Sequence, residues 1–204
     1  MKTSFSSAID GPSLPRVEAL VVGASAGGVE ALLRIFSGIR TGFSLPIITV
    51  LHLPDDHRSQ LVHVFGSRVR MPVKEADDKE PVKPGTLYFA SAGYHLSVEA
   101  DRSFSLSQED RVFYSRPSID ILFESAADAY GKALAGILLT GANNDGAQGL
   151  AHIASLGGMT AVQDPAQAQA RTMPEAALAL HSPDYLLPLN EIGHLLVELE
   201  RIAC

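Results

Sequence analysis

Short apolar runs alternate with amphipathic stretches along most of the chain. Continuous apolar or β-branched runs predict buried strands, and they lie at 19–22, 47–51, 134–139 and 159–162. From position 29 to position 36, apolar residues recur at i, i+3, i+4 and i+7, which is the stripe of an amphipathic helix. Similar stripes predict helices at 61–65, 119–130, 147–154 and 192–199, and Pro174 opens another.

The middle of the chain has a different pattern. Three short runs at 86–89, 95–98 and 104–106 are bounded by turn residues at Gly93 and around Asp101. Short strands joined by tight turns are typical of antiparallel pairing. We therefore predict that these three runs form an antiparallel arm.

The alternation of buried strands and amphipathic helices predicts an α/β protein. We expect a three-layer, doubly wound, mostly parallel β-sheet flanked by helices, with the short antiparallel β arm attached. Ligands in such folds bind outside the carboxyl ends of the strands. The residues that follow Val22, Leu51 and Leu139 are therefore the first candidates for chemistry.

Composition narrows the class of protein. The 204 residues carry a net charge of -7, which argues against nucleic acid as the main partner because phosphate binding needs a basic surface. Cys204 is the sole cysteine, and no apolar run approaches the ~18 residues of a membrane span. We expect a cytoplasmic protein, not membrane-inserted, with a flexible N-terminus at 1–15 and one domain at 16–204.

The first strand leads into a loop that contains a candidate nucleophile. Residues 23–28 read Gly-Ala-Ser-Ala-Gly-Gly, which matches the G-x-S-x-G pattern of a tight strand-to-helix turn that exposes Ser25. Backbone N–H groups of this loop, helped by the turn at 141–143, would stabilise an oxyanion. A plain glycine-rich turn, or a loop that binds a small molecule or nucleotide, remains an alternative, although G-x-G-x-x-G and Gly-Lys-Ser/Thr are both absent.

His52 and Asp145 follow two further strands of the same predicted sheet. A histidine at the end of a neighbouring strand could accept the proton of Ser25, and an aspartate could orient that histidine. Asp145 alone would equally suit a helix N-cap. Together the three residues form the layout of a Ser-His-Asp triad, in a chain order that differs from that of α/β-hydrolases.

No metal or cofactor is expected. His52, His57 and His63 are close in sequence, but their spacing does not place them on one helix face, and no cysteine or carboxylate completes a ligand set. The segment Arg116-Pro117-Ser118 either helps to position a substrate or simply begins a helix beside a solvated arginine.

Several ordered motifs resemble the catalytic domain of the CheB family, the chemotaxis receptor protein-glutamate methylesterases. The similar segments span 23–28, 50–54, 85–90, 116–123 and 138–147, with further matches at 157–158, 163–164 and 173–177. The resemblance implies a seven-stranded, mostly parallel sheet. It also implies Ser25 as nucleophile, His52 as base and Asp145 as the orienting acid.

The activity that the resemblance implies is hydrolysis of γ-glutamyl methyl esters on the cytoplasmic helices of methyl-accepting chemoreceptors. Some members also deamidate receptor glutamines. The receiver domain that usually precedes this domain does not fit into the first 15 residues. The chain would then be a free-standing member, regulated by a separate protein, or a part of a longer one.

Two departures from the family pattern support an alternative function. Ala26 stands where the family usually has threonine, and Gly141-Ala142-Asn143 stands where it usually has Gly-Met-Gly. A catalytically drifted module that binds a receptor or signalling partner without turnover is therefore kept beside the esterase.

Overall fold

The computed structural model describes residues 14–53 and 60–203. Most of the N-terminal segment for which flexibility is predicted, and His57, lie outside these ranges. None of the helices in the described ranges combines the length and the apolar composition that a bilayer crossing requires.

The described chain contains nine strands and six α-helices, and most of the predicted elements are present. The strands are β1 (Ala19–Ala24), β2 (Ile47–Leu51), β3 (Val73–Glu75), β4 (Leu87–Phe89), β5 (His95–Val98), β6 (Phe104–Ser107), β7 (Leu134–Leu138), β8 (Met159–Gln163) and β9 (Tyr185–Leu187). The helices are α1 (Gly28–Phe36), α2 (Leu61–Gly66), α3 (Ile119–Tyr130), α4 (Ala147–Ser155), α5 (Thr172–Leu180) and α6 (Leu189–Ala203).

Seven of the strands form one sheet in the order β3-β4-β2-β1-β7-β8-β9, and every neighbouring pair is parallel. The chain first builds outward from β1 through β2 to β3 and β4, and then returns to β7 on the other side of β1. This reversal makes the carboxyl ends of β1 and β7 a topological switch point, where parallel α/β sheets bind ligands.

Helices cover both faces of the sheet, as predicted. Leu20 and Val22 of β1 belong to the apolar core under α1, α2 and α6. Ala19 and Val21 point to the other face and belong to the core under α3, α4 and α5. Strands alternate the direction of their side chains, so a fully buried strand must be apolar on both faces, and β1 is.

The predicted antiparallel arm is wrong for one of its three strands. β5 and β6 do pair antiparallel as a separate sheet, with Leu96 opposite Leu106. The run at 86–89, in contrast, forms β4 inside the main sheet, parallel to β2. Its three residues are all buried, which suits a central strand and not an exposed arm.

The C-terminal helix α6 is fixed to the loop after α1 by a charged pair. The Glu200 side chain is 1% exposed and accepts from Arg40 Nη2 at 2.7 and 2.8 Å, and Ser44 Oγ also donates to it at 3.4 Å. The contact joins residues 160 positions apart in the sequence.

Candidate active site

The loop after β1 is a sharp turn that places Ser25 at the carboxyl edge of the sheet. Gly27 has φ of 79°, and a Cβ there would lie 2.6 Å from the Oε1 atom of Gln169. A Cβ on Gly28 would lie 2.5 Å from Leu51 Cδ1, so this glycine lets α1 begin against β2. A side chain at position 27 or 28 would therefore collide with its neighbours. Ser25, between the strand and the helix, remains partly exposed.

His52 is the neighbour of Ser25 across the sheet. β1 and β2 are in register at Ala24 and Leu51, and the backbone N–H of His52 donates to the Ala24 carbonyl at 3.1 Å. The next residue on each strand is therefore Ser25 on one side and His52 on the other. The imidazole is 9% exposed.

The structure brings His52 and Asp145 together. The distance from His52 Nε2 to Asp145 Oδ2 is 2.8 Å, across 93 residues of sequence. A carboxylate can only accept, so Nε2 is the donor and Nδ1 is the basic nitrogen of the ring. Nδ1 lies 3.3 Å from the hydroxyl of Ser115. In the described part of the chain, the Ser25 hydroxyl makes no hydrogen bond.

Asp145 is a helix cap, although not of the helix that follows it. Its carboxylate accepts from the backbone N–H groups of Ile119 (2.7 Å) and Asp120 (3.0 Å) and from the hydroxyl of Ser118 (2.8 Å), all at the start of α3. Its own helix α4 begins after Gly146, with no side-chain cap. The expectation of an N-cap is thus wrong for α4, and the carboxylate caps α3 instead.

The two buried carboxyl groups of the site have opposite pKa shifts. Burial alone would raise the pKa of Asp145, but hydrogen bonds from His52, Asp120 and Ile119 outweigh burial and leave the pKa lowered. Burial raises the pKa of Asp120 to about 7, against an opposing hydrogen bond from the Gly149 N–H, and the charge of Asp145 adds to the rise. Asp145 is therefore the ionised partner of His52 at neutral pH.

Two of the N–H groups predicted for an oxyanion hole are already used. The Ser25 N–H donates to the Thr140 carbonyl at 2.9 Å, and the Gly141 N–H donates to the Ala170 carbonyl at 3.0 Å. Over residues 14–53 and 60–203, the N–H groups of Ala26 and Gly27 have no hydrogen-bond acceptor. These two donors, at the start of α1, remain available to a developing negative charge.

A tight turn at Val112–Ser115 borders the site. Val112 and Ser115 exchange two backbone hydrogen bonds, and Phe113 and Tyr114 between them have φ of 46° and 64°. The Nδ2 atom of Asn143 donates to the Phe113 carbonyl at 3.4 Å. Sequence patterns gave no signal for Ser115, because its contact with His52 joins segments 63 residues apart.

Beside His52 the structure contains a cavity of about 210 Å³. The cavity is lined by His52, Leu53, Arg111, Tyr114, Ser115, Arg116 and Pro117. The helix-start alternative for the 116–118 segment is correct for Ser118, which caps α3, but wrong in expecting a solvated arginine, because Arg116 is partly buried and lines this cavity. A role in positioning substrate stays a prediction.

A family model and the named relatives of this chain point to the same family. The family model described as CheB methylesterase matches residues 20–196. A relative in Leptospira interrogans, named putative protein-glutamate methylesterase/protein-glutamine glutaminase, is 42% identical over 90% of this chain and 95% of its own length. A relative in Anaeromyxobacter dehalogenans, named protein-glutamate methylesterase/protein-glutamine glutaminase 2, is 39% identical, and the match spans 54% of its length.

A solved structure agrees with these matches. The crystal structure of the Thermotoga maritima CheB methylesterase catalytic domain superposes with a TM-score of 0.85 at 31% identity, over 90% of this chain and 98% of that one. The family model covers most of the chain and the fold is shared. The chain therefore belongs to the CheB methylesterase family.

Proposed function

We propose that this protein is a protein-glutamate methylesterase in which Ser25 is the nucleophile, His52 the general base and Asp145 the orienting acid. The observation that carries the proposal is the 2.8 Å contact between His52 and Asp145, one strand from Ser25. The names of the relatives supply the substrate class, γ-glutamyl methyl esters. Chemoreceptor cytoplasmic helices are the corresponding partner, and the cytoplasm is the compartment.

The reaction begins when the Ser25 hydroxyl attacks the ester carbonyl. His52 Nδ1 accepts the serine proton while Nε2 stays bonded to Asp145, which stabilises the imidazolium. The N–H groups of Ala26 and Gly27 donate to the oxyanion. Collapse of the tetrahedral intermediate breaks the bond to the methoxy group, and the proton on His52 leaves with methanol.

Water completes the cycle. His52 takes a proton from water, the resulting hydroxide attacks the acyl-enzyme, and the glutamate carboxylate leaves as Ser25 regains its proton. In the resting arrangement, the Ser115 hydroxyl lies beside Nδ1, the nitrogen that must face Ser25. Ser115 must therefore yield this position when substrate binds.

Glutamine deamidation is a second activity of the same site. The relatives carry the name protein-glutamine glutaminase beside that of the esterase. An amide would form the same acyl-enzyme and release ammonia in place of methanol. One set of residues therefore serves both leaving groups, methanol and ammonia.

Methanol release from a methylated receptor fragment tests the proposal. We expect Ser25→Ala to lower the rate by at least about 10³-fold, because the nucleophile is lost and only oxyanion stabilisation and binding remain. Ser67→Ala, at an exposed serine that ends α2, is the matched control and should keep the wild-type rate.

Equal and negligible release by the wild type and by Ser25→Ala would contradict the esterase and favour the drifted binding module. In that case the wild type should still bind the receptor fragment. Stabilisation by nucleotides, without stabilisation by receptor peptides, would instead indicate a nucleotide-binding loop.

A further inference from the structure

Arg116 is partly buried and has no carboxylate partner among residues 14–53 and 60–203. Its Nη1 atom donates to the carbonyls of Gln108 at 3.0 Å and Glu109 at 2.9 Å. Its Nε atom is buried and lacks an acceptor among the described residues. Within those residues, Arg116 forms no ion pair. A partly buried cation normally has an anion close by, since carbonyl dipoles replace only part of its hydration.

The position of Arg116 links this unpaired charge to catalysis. Arg116 lines the same cavity as His52, and Arg111 lines it as well, with its Nη1 atom donating to the Tyr114 carbonyl at 3.2 Å. The cavity of about 210 Å³ is smaller than the ~300–1,000 Å³ of pockets that hold drug-sized ligands. Its size suits one side chain and not a cofactor.

No carboxylate from the described part of the chain lines the cavity. The side chains of Glu109 and Asp110 are exposed, and these residues bond to Arg116 and His95 through their backbone carbonyls. Asp145 is buried behind His52, and its carboxylate already accepts four hydrogen bonds. The described lining of the cavity thus contains two arginines and no carboxylate, on a chain whose net charge is -7.

We propose that this cavity binds a second carboxylate of the substrate, which Arg116 receives while the ester lies at Ser25. The inference rests on the proposed function and names its substrate class. The methyl ester is neutral, so the anion must come from another residue of the substrate. On a helix, residues three or four positions apart are neighbours, about 5–6 Å between their Cβ atoms. The preferred substrate is therefore a helical segment with a free glutamate or aspartate one turn from the ester.

Two synthetic helical peptides test this specificity. Each carries one γ-glutamyl methyl ester, flanked at three and four residues on both sides by glutamate in one peptide and by glutamine in the other. We expect wild-type kcat/KM to be about tenfold higher for the glutamate peptide, as for a hydrogen bond to a charged group. The preference should decline as salt is added.

Variants assign the preference to Arg116. Arg116→Gln should lower the ratio between the two peptides from about ten to about one, whatever its absolute activity. Arg116→Lys keeps the charge but loses the planar fork, so an intermediate ratio is expected. Arg70→Gln removes an equal charge from an exposed position and should retain the tenfold preference.

The outcomes separate this inference from the proposed esterase. Equal hydrolysis of both peptides by the wild type, with Ser25→Ala inactive, would overturn the carboxylate subsite and leave the esterase intact. If no methanol is released by the wild type, the esterase proposal fails, and the Kd of each peptide for the Ser25→Ala protein decides the subsite. An equal Kd for the two peptides would overturn it, and tighter binding of the glutamate peptide would support it.

Discussion

Asp120 and Asp145 show how neighbouring carboxyl groups take different protonation states in one site. Asp145 accepts from an imidazole, two backbone N–H groups and a hydroxyl, and these contacts keep it ionised. Asp120 is also buried and accepts from the Gly149 N–H at 2.7 Å, but burial raises its pKa to about 7. Asp145 is thus ionised beside His52 over most of the acidic pH range, whereas Asp120 ionises only near neutral pH.

This difference predicts a pH-dependent stability. The Asp120 pKa rises from 3.8 in the unfolded chain to about 7 in the folded one, so the folded state retains a proton that the unfolded state has lost. The stabilisation is complete below about pH 4 and disappears as pH rises through about 7. Asp145 has a lowered pKa, so its contribution is lost only on acidification below about pH 4.

Asp120→Asn tests the assignment. We expect the free energy of unfolding of the wild type to fall by about 1–3 kcal/mol more than that of the variant between about pH 5 and pH 8. Urea denaturation across this range measures it. Glu30→Gln, at an exposed position of α1, should follow the wild type. An Asp120→Asn curve parallel to that of the wild type would contradict the prediction.

At the scale of elements, the turn Val112–Ser115 is strained where it borders the cavity. A turn of this type needs left-handed backbone at both central positions, which asparagine and glycine adopt easily, but Phe113 and Tyr114 occupy them. The Tyr114 side chain is 94% exposed. The strained turn therefore places an exposed aromatic ring beside the arginines of the cavity, where a substrate segment would lie.

The double variant Phe113→Asn/Tyr114→Gly should stabilise the protein by about 1 kcal/mol and lower kcat/KM for the receptor fragment by several-fold. Removal of strain accounts for the first effect, and loss of the aromatic contact for the second. Thermal melting and methanol release give the two values. Lys79→Gly, which also replaces a left-handed residue (φ 64°), should gain stability without a change in kcat/KM. A double variant with unchanged kcat/KM would show that the turn does not contact substrate.

At the scale of the whole molecule, the pair of Arg40 and Glu200 fixes the last helix to the loop after α1. Arg40→Met would remove the Arg40 cation from the buried carboxylate. We expect a loss of about 1–3 kcal/mol in the free energy of unfolding, reduced from the fully buried case because Arg40 is 59% exposed. Arg201→Met, from an exposed pair with Glu198 on the same helix, should cost less than about 0.5 kcal/mol. Guanidinium denaturation measures the free energy of unfolding of both variants. Equal losses of stability would contradict the view that burial of Glu200 makes its pair the stronger one.

Most of the architecture could be predicted because buried parallel strands have strong local signals. β1, β2, β7 and β8 are mostly apolar or β-branched runs of five or six residues. The carboxyl ends of β1, β2 and β7 indicate Ser25, His52 and the loop that holds Asp145. The edge strands β3 and β9 have three residues each, too few for a period to be recognised. The sequence pattern wrongly places β4 in the arm, because whether a strand pairs parallel or antiparallel depends on partners distant in sequence.

The site was less predictable than the fold for the same reason. The contact between Asp145 and the start of α3 spans 25–27 residues, and that between His52 and Ser115 spans 63. No local pattern encodes such pairs. The partners of His52 and Asp145 can be identified only once the order of the strands in the sheet is known.

The cap that Asp145 forms on α3 has a consequence for how this scaffold can lose its activity. The Ser25 hydroxyl makes no hydrogen bond within the described chain, and the backbone bonds of Ser25 do not depend on its side chain. Replacement of this serine would therefore abolish the chemistry and leave the architecture undisturbed. Loss of Asp145 would also remove the acceptor of the backbone N–H groups of Ile119 and Asp120. These groups begin α3, a helix that packs into the core. An inert descendant that survives as a binding protein should therefore have discarded the serine long before the aspartate.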